Sequence, residues 1–423
     1  MIFETRKEDG YMTYYPLAEG KTGKALFALA LFIMLMLCRN SMYTFTILPF
    51  TVAQLSMYAV VGLLGIGFLI RNRKRWRELL TDRRMVLVLL VTAVILIPML
   101  VKQDFQTMNF NILVCVYVAI FFSFFISCER LAKYYVWIMS FFAAYSLVAC
   151  YLLAPLVNKG VFQVPEVNFE DWRIFHNFVF AFPRIKNKYL RNFGLFREPG
   201  VFQFFLNLAL FCNNFLMKWD NTRMKWILNA ILVVTVVSTF STAGFVVLLV
   251  LAAAVFFQEK LYKNKRIMLT VGAVGVLGVA ALVVVLLNNP VLLRSMKEMV
   301  LKLFVPNRSS TARYTAVFAD LQAFVQSPIV GSDIAQVLNL VPNNTSSTLL
   351  LYAVYGVAGG SLHAAGWLAL AWNKERRVWI NLLLFAALMM SFNTQNLTTD
   401  VFFWLLPTMA LVEWSLPRMK RKG

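Results

Sequence analysis

Acidic residues, histidine and paired cysteines are scarce in this chain of 423 residues. Asp and Glu number 20 against 41 Lys and Arg, there are 2 histidines, and charged residues of all kinds make up 14%. With 60% hydrophobic residues and a mean hydropathy of +0.67, that shortage of charge excludes a soluble globular domain. The five cysteines, Cys38, Cys115, Cys128, Cys150 and Cys212, lie in or beside apolar stretches without a CxxC pair, so neither a disulfide framework nor a zinc site is expected. Walker A, Rossmann, HExxH and GxSxG motifs are missing, as is an acidic DxD-like pair in the outer segments. ATP hydrolysis, metalloprotease chemistry and metal-dependent transfer thus lose their usual support, and no cofactor or metal is expected. No 20–50-residue period recurs, which excludes a solenoid and gives an inverted-repeat transporter no support. Residues 1–24 are polar and the apolar run after them carries no small-residue cleavage signature, so no removable signal peptide is expected.

What the chain has in abundance is apolar runs of membrane-crossing length. A span needs about 20 apolar residues, fewer where its flanks snorkel. About twelve are expected, near 25–44, 47–70, 85–101, 110–128, 134–156, 200–217, 226–240, 242–258, 267–288, 346–372, 378–392 and 401–416. The run 226–258 is too long for one crossing, and STFSTAG (238–244) is the natural turn within it. A pI near 9.9 would suit a nucleic-acid binder, but the cations sit in short clusters between apolar runs. With the N-terminus inside, the clusters 71–77, 130–133, 218–225, 260–266, 374–377 and 418–422 all fall inside, as the positive-inside rule requires. The expectation is one all-α polytopic membrane domain over residues 1–423, with both termini in the cytoplasm and the bilayer, not nucleic acid, as partner.

Two outer segments are long, 157–199 and 289–345, and long ordered loops are where function tends to sit. The first ends in RNFGLFREPG (191–200), where Arg191, Arg197 and Glu198 stand at the mouth of an apolar span and Pro199–Gly200 turns the chain into it. Glu198 gains there from the helix macrodipole. In the second, 290–304 is an amphipathic stretch expected to lie along the interface. After Pro306, Ser309 or Ser310 is expected to cap a helix, TARYTAVFADLQAFVQ. Its apolar residues Tyr314, Val317, Phe318, Leu321, Phe324 and Val325 recur at helical spacing and are expected to pack on the membrane body, with Arg313, Ala316, Asp320 and Ala323 on the opposite flank.

Charges at membrane depth face a cavity or a partner. Taken singly, these residues fit an interfacial snorkelling cluster. Taken together, two outer segments each offering arginine, on the face opposite the topological clusters, suit bidentate contact with the phosphate oxygens of an anionic lipid-linked pyrophosphate. His176 sits among aromatics that fit either a sugar-stacking surface or an interfacial belt. His363, inside a span, points to a helix–helix hydrogen bond. The hydroxyls of STFSTAG either satisfy backbone groups at the helix break or contribute to a ligand site.

The same landmarks carry a resemblance. Arg191, Gly194, Phe196, Glu198, Pro199 and Gly200 resemble the Arg-x-x-Gly-x-Phe-x-Glu-Pro-Gly segment of Wzy-type polysaccharide repeat-unit polymerases, in the O-antigen polymerase and ligase superfamily. STFSTAGFV (238–246) is similar to the family's Ser/Thr-rich segment, and Arg313 with Pro328 and Gly331 to its second outer-loop arginine motif. NNTSSTLLLYAVYGVAGG (343–360) resembles its Asn-rich entry to a span with Tyr-Gly-x-x-Gly. The resemblance implies an all-helical, C-type membrane glycosyltransferase in the bacterial cytoplasmic membrane, its site facing the periplasm or cell exterior. It would transfer glycan from an undecaprenyl pyrophosphate carrier to another lipid-linked repeat unit, building O-antigen, capsule or exopolysaccharide.

On that resemblance Arg191 and Arg313 hold the donor pyrophosphate and Glu198 orients the arginines or the acceptor hydroxyl. Arg197, Gly194, Gly200, Tyr314, Asp320, Asn343 and Asn344 shape the substrate site, and a chain-length regulator is the expected protein partner. Arginines would neutralise charge that a divalent ion would otherwise take. O-antigen ligases place a histidine shortly before the Tyr-Gly span; the stretch 341–347 has none, and Asn343 and Asn344 cannot act as a base near neutral pH. Glu198 and Asp320 remain candidates for that base, alongside a transition state dissociative enough to need no strong base. The alternatives are a ligase joining finished glycan to an acceptor and a lipid-linked oligosaccharide flippase. The near absence of charge inside the spans disfavours the flippase.

Overall fold

The computed structural model describes residues 14, 15, 17, 20–169, 173–185, 191–265, 308–341, 344–393 and 395–415, with isolated positions between 269 and 301. The span expected at 267–288, the amphipathic stretch at 290–304, Asn343 and the basic tail at 418–422 lie outside the described residues, apart from those isolated positions.

Fifteen α-helices run through the described residues: α1 Gly20–Met36, α2 Phe50–Arg71, α3 Trp76–Leu80, α4 Arg84–Lys102, α5 Thr107–Ser123, α6 Cys128–Val148, α7 Ala154–Asn158, α8 Pro199–Phe211, α9 Thr222–Ser238, α10 Thr242–Gln258, α11 Arg308–Gln326, α12 Ile334–Leu340, α13 Thr348–Ala371, α14 Val378–Phe392 and α15 Val401–Ser415. Among the described residues one antiparallel hairpin, β1 Glu166–Phe169 and β2 Arg173–His176, interrupts the helical fold within 157–199. Five segments have the length and apolar character of membrane spans: Phe50–Arg71, Arg84–Lys102, Cys128–Asn158, Pro199–Leu216 and Thr348–Ala371. The apolar helices α5, α10, α14 and α15 are shorter. The molecule is thus a helical protein whose long apolar helices suit repeated passage through a bilayer.

Lipid tails are as apolar as leucine, so spans associate through close packing and interhelical hydrogen bonds rather than through burial from water. The innermost helix shows this. Every residue of α8 is buried, between α6, α9, α10 and α14, although it is almost wholly apolar. Gln203 and Asn207, one turn apart, fix its position. Gln203 Nε2 donates to the carbonyls of Gly200 (2.9 Å) and Ser391 (3.0 Å), and Asn207 Nδ2 to Gln203 Oε1 (3.0 Å) and the carbonyl of Gly244 (3.3 Å).

The turn expected in STFSTAG is present, with α9 ending at Ser238 and α10 starting at Thr242. Ser241 is the cap of α10, its Oγ accepting from Gly244 N at 3.4 Å. The first expected span, 25–44, is broken instead. Helix α1 stops at Met36 and the chain turns through Arg39, Asn40 and Ser41, because Met42 N pairs with the carbonyl of Leu195 (2.9 Å) and Asn40 Nδ2 with Asp400 Oδ2 (3.1 Å).

Two glycines lock α11 to α13. At Gly356 (φ 63°, ψ −163°) α13 leaves helical geometry, and the turn 328–331 fills the gap. Val357 N donates to the carbonyl of Pro328 (2.8 Å) and Ser332 N to that of Ala353 (2.7 Å). Lys102 Nζ takes the freed carbonyl of Val354 at 2.6 Å and that of Ser332 at 3.0 Å. Gly331, also left-handed at φ 78°, lies so close to Val354 that a Cβ would overlap its carbonyl, and a Cβ on Gly356 would overlap that of Ile329.

Helix α11 faces the opposite way from expectation. Ala316 and Asp320 are 0% exposed and Ala323 3%, whereas Tyr314, Phe318 and Val325 are 67%, 70% and 74% exposed. The polar flank packs inward against α13, where Asp320 finds hydrogen-bond partners, and the apolar stripe faces out. Helix α11 also begins at Arg308, so Ser309 and Ser310 lie in its first turn rather than ahead of it as caps.

Candidate functional site

The segment 191–198 threads between helix ends, and its own sequence explains the path. Arg191 stretches back to the break between α9 and α10, donating from Nε to the carbonyl of Thr239 (3.0 Å) and from Nη2 to that of Phe240 (3.1 Å). Asn192 is fully buried, its Nδ2 donating to Ser146 Oγ (2.9 Å) and Ser238 Oγ (3.1 Å). Gly194 takes φ 53° with Phe202 beneath it, where a Cβ would come within 2.6 Å of the ring. The chain then pairs with the turn at 40–42: Ser41 and Phe196 form an isolated antiparallel bridge, and Arg197 N donates to the carbonyl of Asn40 at 3.1 Å.

Glu198 is the residue before α8, extended at φ −146°. Its side chain does not cap that helix; Oε2 accepts instead from Gln395 Nε2 at 3.4 Å. Gly200 lets Gln395 approach, since a Cβ there would lie 2.5 Å from Nε2. On its other side the carboxylate is an electrostatic neighbour of both Arg191 and Arg313. Burial lowers the Arg191 pKa to about 10, with Glu198 opposing the shift and Arg313 adding to it. Arg313 is also held below the usual arginine range, chiefly by burial and against the pull of Glu198. Among the described residues, neither arginine closes an ion pair with Glu198. Two partly desolvated cations from segments more than a hundred positions apart in sequence therefore lie within electrostatic range of one carboxylate, leaving a net positive charge, the condition for holding an anion.

Arg197 does not join this cluster. The charged neighbours that act on Arg191 and Arg313 include Glu198 but not Arg197. The Arg197 guanidinium lies 4.8 Å from the centre of the Phe45 ring and is an electrostatic neighbour of Arg39.

Asp320, on the inward flank of α11 two turns beyond Arg313, accepts from Asn344 Nδ2 (2.7 Å) and from Ser346 Oγ. Burial raises its pKa to about 6 despite these two bonds. It ties α11 to the entry of α13 and so holds the helix that carries Arg313. Tyr314 stands on the outward face of α11, lining an open groove of about 450 Å³ with Phe318 and Leu340, away from Arg313.

Neither histidine is presented for chemistry. His176 is buried, its Nε2 3.0 Å from Asn158 Oδ1, and so does not offer its ring to a sugar. His363 accepts from Trp367 Nε1 at 2.9 Å within its own helix, a correction to the expected bond between helices. No group of three His, Cys, Asp or Glu side chains among the described residues is placed to hold a metal ion.

Three contributors were not singled out in the sequence: Gln395, which fixes Glu198; the carbonyls of Thr239 and Phe240, which fix Arg191; and Arg39. The signals were present. SFNTQNLTTD (391–400) is unusually polar for a short link between apolar runs, and Arg39 is an isolated cation in the first such run.

Comparison of the chain with protein-family models, with curated proteins and with solved structures gives no match.

Proposed function

We propose that the chain is a membrane glycosyltransferase of the C type. It joins polyprenyl-pyrophosphate-linked oligosaccharide repeat units into surface polysaccharide on the outer face of the bacterial cytoplasmic membrane, in a topology of about twelve spans with both termini inside. The observation that carries this reading is that Arg191 and Arg313 both lie within electrostatic range of Glu198 without a closed ion pair. Guanidinium forks suit the oxygens of a pyrophosphate.

In the proposed reaction a sugar hydroxyl of the acceptor attacks the anomeric carbon of the donor glycan, forming the new C–O bond as the bond to pyrophosphate breaks. Negative charge grows on the leaving pyrophosphate, where Arg191 and Arg313 stabilise it more strongly than in the ground state. The hydroxyl proton passes to the Glu198 carboxylate, whose single side-chain hydrogen bond leaves lone pairs free to accept it. Asp320 is already engaged by Asn344 and Ser346, so it acts as a positioning residue and not as the base.

The test is the size distribution of lipid-linked and surface glycan in a strain lacking this gene. Single repeat units accumulating on the outer face, and cured only by restoring the gene, are expected. Full-length glycan stranded on its carrier would assign a ligase, and precursor held inside a flippase.

A further inference from the structure

A second pair of arginines lies against two aromatic rings, those of Phe50 and Phe45. Arg39 lies in the turn after α1, its guanidinium 5.2 Å from the centre of the Phe50 ring, and Arg197 lies 4.8 Å from that of Phe45. The pairing of 40–42 with 195–197 brings the two cations together, near enough that each feels the other's charge. Phe45 and Phe50 are 37% and 39% exposed, so the pair opens outward.

Asp400, the carboxylate that acts on Arg39, is committed elsewhere. Asp400 accepts from Asn40 Nδ2 (3.1 Å) and Phe402 N (3.0 Å), and it forms no ion pair with Arg39 among the described residues. Nε of Arg197 is buried and has no hydrogen-bond acceptor among the described residues. An unmet buried donor is costly, and two like charges side by side add repulsion, so both favour an anion between them.

We propose that Arg39 and Arg197 form a second anion site that takes a phosphate-bearing lipid headgroup, separate from the site of Arg191 and Arg313. Two sources share that chemistry: the pyrophosphate of a second carrier lipid, which polymerisation requires as acceptor and which rests on the function proposed above, and the phosphate of a membrane phospholipid. The anion would accept from the forks of both arginines, with Phe45 and Phe50 screening the guanidinium faces from water.

The test is titration calorimetry of the full chain in nanodiscs of zwitterionic lipid, with inorganic pyrophosphate as probe. Two classes of binding are expected. Arg39→Gln or Arg197→Gln should weaken one class by at least about ten-fold and spare the other. Arg191→Gln and Arg313→Gln should do the reverse. Should the Gln variants fail to fold, the Arg39→Lys/Arg197→Lys double variant keeps the charge but loses the fork, and a roughly three- to ten-fold weakening of that class is expected.

A single class unaffected by substitutions at Arg39 and Arg197, or unchanged binding in the lysine variant, overturns the second site. Persistence of the Arg39-dependent class while Arg191→Gln and Arg313→Gln change nothing supports it and instead removes the proposed pyrophosphate clamp. Including phosphatidylglycerol in the nanodiscs separates the sources. Competition confined to the Arg39-dependent class assigns the phospholipid headgroup, and undiminished pyrophosphate binding assigns the carrier.

Discussion

Arg191 donates from Nη2 to the carbonyl of Phe240 at 3.1 Å, and Phe240 sits in the left-handed region at φ 46°. A non-glycine residue there costs about 1–2 kcal/mol, so the break between α9 and α10 carries backbone strain where the arginine is anchored. Arg191→Lys keeps the charge but cannot reach two carbonyls in a fork and still present donors to phosphate. Polymer formation is expected to fall by about 10² or more, with unchanged protein in the membrane. Quantified glycan length against immunoblotted protein checks this.

The Gly331–Gly356 contact predicts a stability effect far from the charges. An alanine at either position must hold a left-handed φ and displace a backbone carbonyl, a cost of at least about 1–3 kcal/mol. Thermal unfolding of the detergent-purified protein should shift downward for Gly331→Ala and Gly356→Ala. Alanine at Gly62, inside α2 with nothing within 4 Å of the added Cβ, should not lower it and is expected to raise it slightly.

The inward flank of α11 predicts unequal effects on its two faces. Ala316→Leu inserts bulk against α13 and should cost about 1–3 kcal/mol while moving Arg313 and lowering activity. Tyr314→Ala, on the exposed face, should change stability by less than about 0.5 kcal/mol. The reverse order in unfolding temperature would mean that the apolar stripe packs inward after all.

Asp320 predicts a pH dependence with a definite sign. Its folded pKa, about 6, lies above the ordinary value of 3.8, so the folded protein holds this proton more tightly than the unfolded chain does. Its contribution to stability is therefore greatest below about pH 4, declines as pH rises to about 6 and is flat beyond. The difference in unfolding temperature between wild type and Asp320→Asn, measured from pH 4 to pH 7, should change in the asparagine's favour as pH rises. No change across that window would mean that Asp320 is not buried as described.

Local signals were legible where one short stretch sufficed. Serine, threonine and glycine in STFSTAG mark the break, and the residue types of 378–392 set both ends of α14. Helix α11 misled because the rule that apolar faces pack inward assumes water outside. Here the buried partners of Asp320 are supplied from 344–346, and the solvent of the outward face need not be polar. Arg191 and Glu198 were legible as residue types at the mouth of an apolar run, and Arg313 as the arginine of the second long segment. Gln395 was not, because its contact with Glu198 spans 197 positions and exists only once α8 is enclosed. The place of Arg197 over the Phe45 ring depends on the pairing of 40–42 with 195–197, which no single segment encodes.

The most direct test of the central claim is the turnover of purified protein on a synthetic polyprenyl-pyrophosphate-linked repeat unit, comparing wild type with Arg313→Ala. Wild type should release polyprenyl pyrophosphate in step with glycan lengthening. Arg313→Ala, folded and inserted, should lose about 10²–10³ in kcat. Lengthening at the wild-type rate in that variant would contradict a pyrophosphate clamp built from Arg191 and Arg313.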